Sequence, residues 1–192
     1  MSIKLVVFDM AGTTVEDKDN VHAALISAFK KYDLKVSRKD ANNVMGIPKP
    51  IAIAQILTLK FDVKPRQLKQ LTANIHKAFL AEMISFYKND ASVKENRNAE
   101  KVFRLLKEKG IKVAIDTGFS RDIADTIIKT LKWKKNKLID FSVNSDEVKN
   151  GRPHPDMIFK AMKLASVKTA SEIAKVGDTT SDLLEETSAG CK

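Results

Sequence analysis

The sequence predicts an α/β fold: a Rossmann-like parallel sheet with a helical segment inserted after its first strand. Three observations lead there. Four short runs rich in β-branched and apolar residues each end in or just before Asp, Thr or Asn. Helical periodicities separate the last three of these runs. About a hundred residues of helical character stand between the first run and the second, far more than one crossover requires. Strand–helix alternation implies right-handed crossovers and a mostly parallel sheet. In such sheets ligands bind beyond the carboxyl ends of the strands.

The first strand is predicted over Ile3–Asp9 (IKLVVFD). In the helical stretch after it, Val21, Ala24, Leu25, Ala28 and Phe29 form one amphipathic face. Leu68, Leu71, Ile75, Phe79, Met83 and Phe86 form another, opened by Pro65 in its first turn. A further helix runs to about Lys109 and stops at Gly110, a C′ glycine, and belongs with the sheet layer. This divides the chain into a discontinuous α/β core, residues 1–15 and 96–192, and a helical cap, residues 16–95. The second strand is Ile111–Thr117. Ser120 reads as the N-cap of the next helix, which carries Ile123, Ile127, Ile128 and Leu131. The third strand is Leu138–Asn144. A helix opened by RPHPD places Ile158, Ala161, Met162 and Ala165 at helical spacing. The fourth strand is Glu172–Asp178.

Composition narrows the class. With 192 residues, 43% hydrophobic and 30% charged, the chain suits one cored domain carrying an insertion. No apolar run approaches the ~20 residues that span a bilayer, and no signal peptide is expected. One cysteine, Cys191, forms no internal disulfide, so a cytoplasmic location is the expectation. The net charge is +10, but 28 of the 34 basic residues are lysines scattered along the chain. The densest cluster, LKWKKNK (Leu131–Lys137), falls where a helix ends and lysine is favoured. A solvated lysine-rich surface is therefore expected, with no nucleic-acid partner.

The chemistry sits at the strand tips. A carboxylate at Asp9, followed by the turn Ala11-Gly12-Thr13-Thr14, can be held against a metal and a phosphoryl group. The glycine lets the backbone come close, and Thr13 with the turn amides can bind anionic oxygens. AIDTGFS places Thr117 at the second tip, NGRPHPD supplies Arg152 on a constrained loop, and KVGDTTSD puts Asp178 and Asp182 at another tip. Each residue alone has a plainer reading: Arg152 a surface ion pair, Thr117 a helix cap, Asp182 a first-turn acid.

Acid, hydroxyl, cation and acid pair, in that order at successive strand ends, resemble the motifs of the haloacid dehalogenase-like (HAD) hydrolases, over nearly the whole chain. The resemblance implies that Asp9 attacks phosphorus to form an aspartyl-phosphate. It implies Mg²⁺ held by Asp9, the Ala11 carbonyl and Asp178, with Asp182 close by, an oxygen set this ion prefers. Thr117 would donate to a phosphoryl oxygen, and Arg152 would balance the charge on nucleophile and transferring group. Such cores usually continue for another strand and helix, whereas this chain stops at SAGCK. The strand Glu172–Asp178 is therefore expected to have an uncovered edge.

Most HAD phosphatases carry a second Asp two residues after the nucleophile, which protonates the departing alcohol. Here that position is Ala11. DMAGTT resembles instead the phosphonatase (phosphonoacetaldehyde hydrolase) branch, in which a cap lysine forms a Schiff base with an aldehyde and a C–P bond is cleaved. VMGIPKP (Val44–Pro50) resembles that branch's cap loop, with Met45, Gly46 and Lys49 at its methionine, glycine and lysine positions. Met45, Gly46, Thr13, Thr117, Gly118 and Arg152 are thus the expected substrate contacts. The plainer reading of Lys49 is one solvated lysine among 28. Two departures stand out: Ala52 where the branch has a proton-shuttling histidine, and Phe119 where it has tyrosine. The expected partner is a small phosphonate or phosphorylated metabolite, and a homodimer is compatible with relatives that pair through their caps. The alternatives are a phosphate-monoester phosphatase, with solvent or His22 replacing the missing acid, and a non-catalytic binding protein on the HAD scaffold.

Overall fold

The computed structural model describes residues 2–45 and 47–192. Strands β1 (Leu5–Phe8), β2 (Lys112–Thr117), β3 (Phe141–Asn144) and β4 (Ile173–Val176) form one sheet in the order β3-β2-β1-β4. Every pairing is parallel, with Val6 opposite both Val113 and Ala174. The strands read as nearly unbroken apolar runs because helices cover both faces.

All four strands are shorter than the sequence suggests. Leu138 and Ile139 are buried but precede β3. Asp140 interrupts there, its carboxylate accepting from the Val113 amide at 2.8 Å in place of a ladder bond. At the β4 edge Lys192 pairs with the strand: its amide donates to the Ile173 carbonyl at 3.1 Å, and its carbonyl accepts from Lys175 N at 2.6 Å. The expected bare edge is thus partly covered.

Four helices lie between β1 and β2: α1 (Asn20–Lys30), α2 (Arg38–Asn42), α3 (Lys49–Lys60) and α4 (Pro65–Asn89). Next come α5 (Ala99–Glu108), α6 (Arg121–Thr130), α7 (Asp156–Ala165) and α8 (Thr180–Ala189). Gly110, at φ +70°, follows α5 as the expected C′ residue. The buried stripe of α4 is Ile75, Phe79, Met83 and Tyr87. It ends on Tyr87 rather than Phe86 because an i, i+4 row continues along one face. Ser120 occupies the N-cap position of α6, but its hydroxyl caps nothing. Both Asp146 carboxylate oxygens take the Arg121 amide instead, at 3.1 and 3.2 Å.

Alternating strand residues feed two apolar clusters. Leu5, Val7, Ala114 and Val143 pack with Met157, Ile158 and Ala161 of α7. Val6, Phe8, Val113 and Ile115 face the other way, into a cluster that continues through Leu25, Phe29, Ile53, Leu57 and Phe79. Phe8 meets Phe103 edge-on at 5.2 Å, and Phe103 meets Trp133 at 5.4 Å. The tryptophan of the basic cluster is thus core, while its four lysines are exposed. No helix among the described residues is long and apolar enough to cross a membrane. The strand order reverses at β1, so Asp9 emerges at the topological switch point.

Candidate active site at the carboxyl end of the sheet

The turn after β1 is fastened from three sides. Thr14 Oγ1 donates to the Asp9 carbonyl at 2.8 Å, and Gly12 N donates to the Val15 carbonyl at 2.9 Å. Asn96 Nδ2 reaches back to the carbonyls of Gly12 and Thr13, at 2.6 and 2.9 Å. Gly12 sits at φ +92°, and a β-carbon there would lie 2.2 Å from Asp178 Oδ2. Thr13 Oγ1 donates to Asp178 Oδ1 at 2.9 Å. The glycine therefore opens the space and the threonine holds the acid in it. Gly177 does the same for Asp182, whose Cγ would be 2.2 Å from an added β-carbon.

Asp9, Asp178 and Asp182 each place a carboxylate oxygen within 4.8 Å of the others. The Ala11 carbonyl accepts no hydrogen bond among the described residues. That oxygen set fits a hard divalent cation. Asp182 differs from the other two acids. Its Oδ2 takes the Thr179 amide at 3.2 Å and the Thr179 hydroxyl, while its Oδ1 lies 2.9 Å from Arg152 Nη1 and 3.0 Å from Lys175 Nζ.

Arg152 is buried, which removes the surface ion-pair reading. Its Nη2 lies 2.8 Å from Asp9 Oδ1 and 2.7 Å from Asp116 Oδ1, and its Nε lies 3.1 Å from Glu185 Oε2. Lys175, also buried, pairs with Asp116 and lies 3.5 Å from Glu185 Oε2. Four buried carboxylates thus face two buried cations, with Asp178 at the rim. Burial first, and then the excess of negative charge, sets how these acids hold their protons. Burial pushes Asp9 up to about 6, against the pull of Arg152 and with help from Asp182. Burial, reinforced by Asp116, pushes Glu185 up to about 8. Burial also works to raise Asp116 and Asp182, but Lys175 and Arg152 outweigh it and hold both below the ordinary range.

Lys49 opens α3 and is 5% exposed, so it is not a solvated lysine. Among the described residues its Nζ hydrogen-bonds only to the Ile47 carbonyl, at 3.4 Å. Burial lowers its pKa to about 8, against the attraction of Asp9. The preceding loop docks closely on the core. A β-carbon on Gly151 would lie 2.5 Å from Pro48 Cγ, so the loop bearing Arg152 and the loop bearing Lys49 meet backbone to ring.

A cavity of about 300 Å³ joins these groups. Asp9, Ala11, Lys49, Thr117, Arg152 and Asp178 line it, together with Met45, Gly118, Phe119 and His22. Thr117 is buried, and its Oγ1 accepts from Phe119 N at 3.2 Å, leaving the hydroxyl hydrogen for another acceptor. Of the residues singled out from sequence, Thr13 and Asp182 do not line the cavity; they hold Asp178 and the cations from outside it. Gly46 lies outside the described residues. Sequence reasoning passed over Lys175, Asp116, Glu185 and Asn96. For the first two a signal existed: a charged residue inside an otherwise buried apolar strand.

The chain matches the sequence model of the haloacid dehalogenase-like hydrolases over residues 6–192. It belongs to that family. Within the family, it is 31% identical to a phosphonoacetaldehyde hydrolase of Bacillus cereus, over 99% of this chain and 74% of the relative. A phosphonoacetaldehyde hydrolase like protein from Oleispira antarctica superposes with a TM-score of 0.83 at 22% identity, covering all of this chain and 71% of the other. CbbY from Rhodobacter sphaeroides, solved with phosphate, gives a TM-score of 0.83 at 19% identity, over 99% of this chain and 84% of the other. The two structural matches establish the HAD fold, and the chain is a HAD-family hydrolase.

Proposed function

We propose that this hydrolase uses Asp9 and Mg²⁺ to cleave the C–P bond of a small phosphonate aldehyde of the phosphonoacetaldehyde type. One observation supports this above the rest: the buried amine of Lys49 lines the same cavity as Asp9, beside a position 11 that carries no acid. An unperturbed lysine, with a pKa of about 10.4, is neutral about once in 2,500 at pH 7. At a pKa of about 8, roughly one Lys49 in ten is a free amine at that pH.

In this reading the Lys49 amine condenses with the aldehyde to a protonated imine, releasing water. An Asp9 oxygen then attacks phosphorus. The C–P bond breaks and its electron pair moves into the imine, giving an enamine and an aspartyl-phosphate. Water hydrolyses the acyl phosphate; the enamine takes a proton at carbon and is hydrolysed to free Lys49. Since carbon departs rather than an alcohol oxygen, Ala11 leaves no proton unsupplied. Arg152, 2.8 Å from Asp9 Oδ1, aligns the nucleophile, and the Thr117 hydroxyl donates to a phosphoryl oxygen. Asp9, Asp178 and the Ala11 carbonyl would hold Mg²⁺ directly, with Asp182 behind them. The ion supplies charge neutralisation between carboxylates and anionic substrate. We also take residues 16–95 as the cap and residues 1–15 and 96–192 as the core.

A second reading, a phosphate-monoester phosphatase, draws on His22, which lines the same cavity with its Nε2 2.5 Å from Asn42 Oδ1. It could protonate a leaving alcohol. Turnover of a panel of phosphonates and phosphate monoesters separates the two. Borohydride added with phosphonoacetaldehyde should trap a covalent adduct on Lys49, and Asp9→Asn should abolish turnover. Monoester turnover without any adduct favours the second reading, and activity retained in Asp9→Asn sinks both.

A further inference from the structure

The buried guanidinium of Arg152 spends its hydrogens unevenly. Nε donates to Glu185 Oε2 at 3.1 Å. Nη2 carries two hydrogens, and both go to one residue: the Asp116 carbonyl at 2.9 Å and Asp116 Oδ1 at 2.7 Å. Asp9 Oδ1 lies 2.8 Å from the same Nη2, in ionic contact. Among the described residues, however, no hydrogen bond from Arg152 is directed at Asp9.

The arrangement is fixed from two elements. Glu185 on α8 holds one end of the planar fork and Asp116 on β2 the other, so the guanidinium cannot turn about its Nε–Cζ bond without breaking hydrogen bonds. Asp116 is fully buried, stands immediately before Thr117, and is itself held by Lys175, which reaches the same Oδ1 from β4. Neutralising the buried cations does not by itself require this residue, since Asp9, Asp182 and Glu185 also touch Arg152. What Asp116 adds is direction. A carboxylate attacking phosphorus must commit an oxygen lone pair, and an N–H donated to that oxygen would have to be loosened first. With the Nη2 hydrogens turned to Asp116, Asp9 keeps the positive charge beside it and its lone pairs open.

We propose that Asp116 is a positioning residue: by taking both Nη2 hydrogens of Arg152 it keeps them off the nucleophile while leaving the charge in place. The inference rests on the reading of Asp9 as nucleophile and is independent of Lys49.

The test uses 4-nitrophenyl phosphate and Mg²⁺ with the full chain. As the bond from Asp9 oxygen to phosphorus forms, the ester P–O bond breaks and its electron pair leaves on 4-nitrophenolate. That anion needs no proton, so neither Lys49 nor the missing acid at position 11 enters the rate. Asp116→Leu removes the side-chain acceptor and should lower kcat by about 10–10²-fold. KM should stay within about twofold, a split that general loosening of the fold would not give. Asp116→Asn keeps an acceptor oxygen without the charge, and should recover most of the lost kcat. Wild-type kcat in Asp116→Leu overturns the inference, and so does an Asp116→Asn as slow as Asp116→Leu. Should Asp116→Leu fail to fold, solvent exchange of the Arg152 Nη2 hydrogens, followed by NMR, decides the matter without touching Asp116. Exchange should be slow in the wild type and change by less than about threefold in Asp9→Asn; a rise of about tenfold or more would assign those hydrogens to Asp9 and overturn the inference. Turnover that survives Asp9→Asn, or none in the wild type, counts instead against the nucleophile reading, and the exchange measurement still shows which residue holds the Nη2 hydrogens.

Discussion

Asp178 Oδ2 lies 2.2 Å from the place where a β-carbon on residue 12 would stand, and residue 12 is a glycine at φ +92°. Any side chain there meets two penalties. The left-handed backbone costs an L-residue roughly 1–2 kcal/mol, and Asp178 must move away from Asp9. Gly12→Ala is therefore expected to lower stability by that amount. It should also cut turnover by about 10²-fold, the scale of a 1 Å misplacement. A urea midpoint and a steady-state assay check it, and wild-type turnover would remove Asp178 from the reacting centre.

Metal binding should appear as stability. Mg²⁺ at 100 times its Kd adds about 2.7 kcal/mol to the folded state, or roughly 5–10 °C in Tm for a chain of this size. Thermal scans in EDTA and in MgCl2 should differ by that much in the wild type and by little in Asp178→Asn. Equal melting of the wild type in both buffers counts against Mg²⁺.

Arg152 touches Asp9, Asp116, Asp182 and Glu185 at once. Arg152→Met leaves four buried carboxylates with Lys175 alone. Breaking a buried ion pair from one side costs about 3–5 kcal/mol, a loss readable from the urea midpoint. Arg152→Lys keeps the charge but not the planar fork, and should recover only part of it. A loss below ~1 kcal/mol in Arg152→Met would place the cluster in solvent, against its burial.

Lys49 links activity and stability through pH. If Lys49 forms the proposed Schiff base, its free amine is the reactive form, and the rate of imine formation should rise about tenfold per pH unit and level off above about 8. The stability sign is the reverse of a helpful ion pair. Between about 8 and 10.5 the unfolded chain binds the proton that the folded chain refuses, so this group makes stability rise with pH across that window. Below pH 8 the penalty is full, about 3 kcal/mol. Lys49→Met should therefore be inactive yet more stable than wild type at pH 7, with the gap closing towards pH 10.5. Denaturation at both pH values measures it.

The sequence made the sheet and the tip residues legible because each leaves a one-dimensional trace. A buried parallel strand is an apolar run, and Asp9, Thr117 and Asp178 stand immediately at or beyond the ends of such runs. Arg152 was visible as a cation, but its burial was not, because nothing in NGRPHPD says which acids surround it. Those acids come from β1, β2 and α8, and only the fold brings them together. Lys175 and Asp116 stand out as charges inside apolar strands, but their pairing is not written there, because it depends on β2 and β4 both flanking β1. Ser120 misled for a similar reason. Its local pattern is that of an N-cap, and a carboxylate 26 residues away, Asp146, won the amide.

Ala52 offers the sharpest contrast between resemblance and packing. By motif, a histidine three residues after Lys49 belongs in this branch, and Ala52→His looks like a repair. In this chain Ala52 is fully buried on α3, within the cluster that holds Ile53, Ile56 and Leu57. An imidazole there must displace packed side chains, at about 1–3 kcal/mol, and bury two ring nitrogens with no partner assured. Ala52→His is therefore expected to lower the urea midpoint and to leave the trapping rate at Lys49 no higher than in wild type. A stable variant that traps faster would show that α3 had room for the histidine after all.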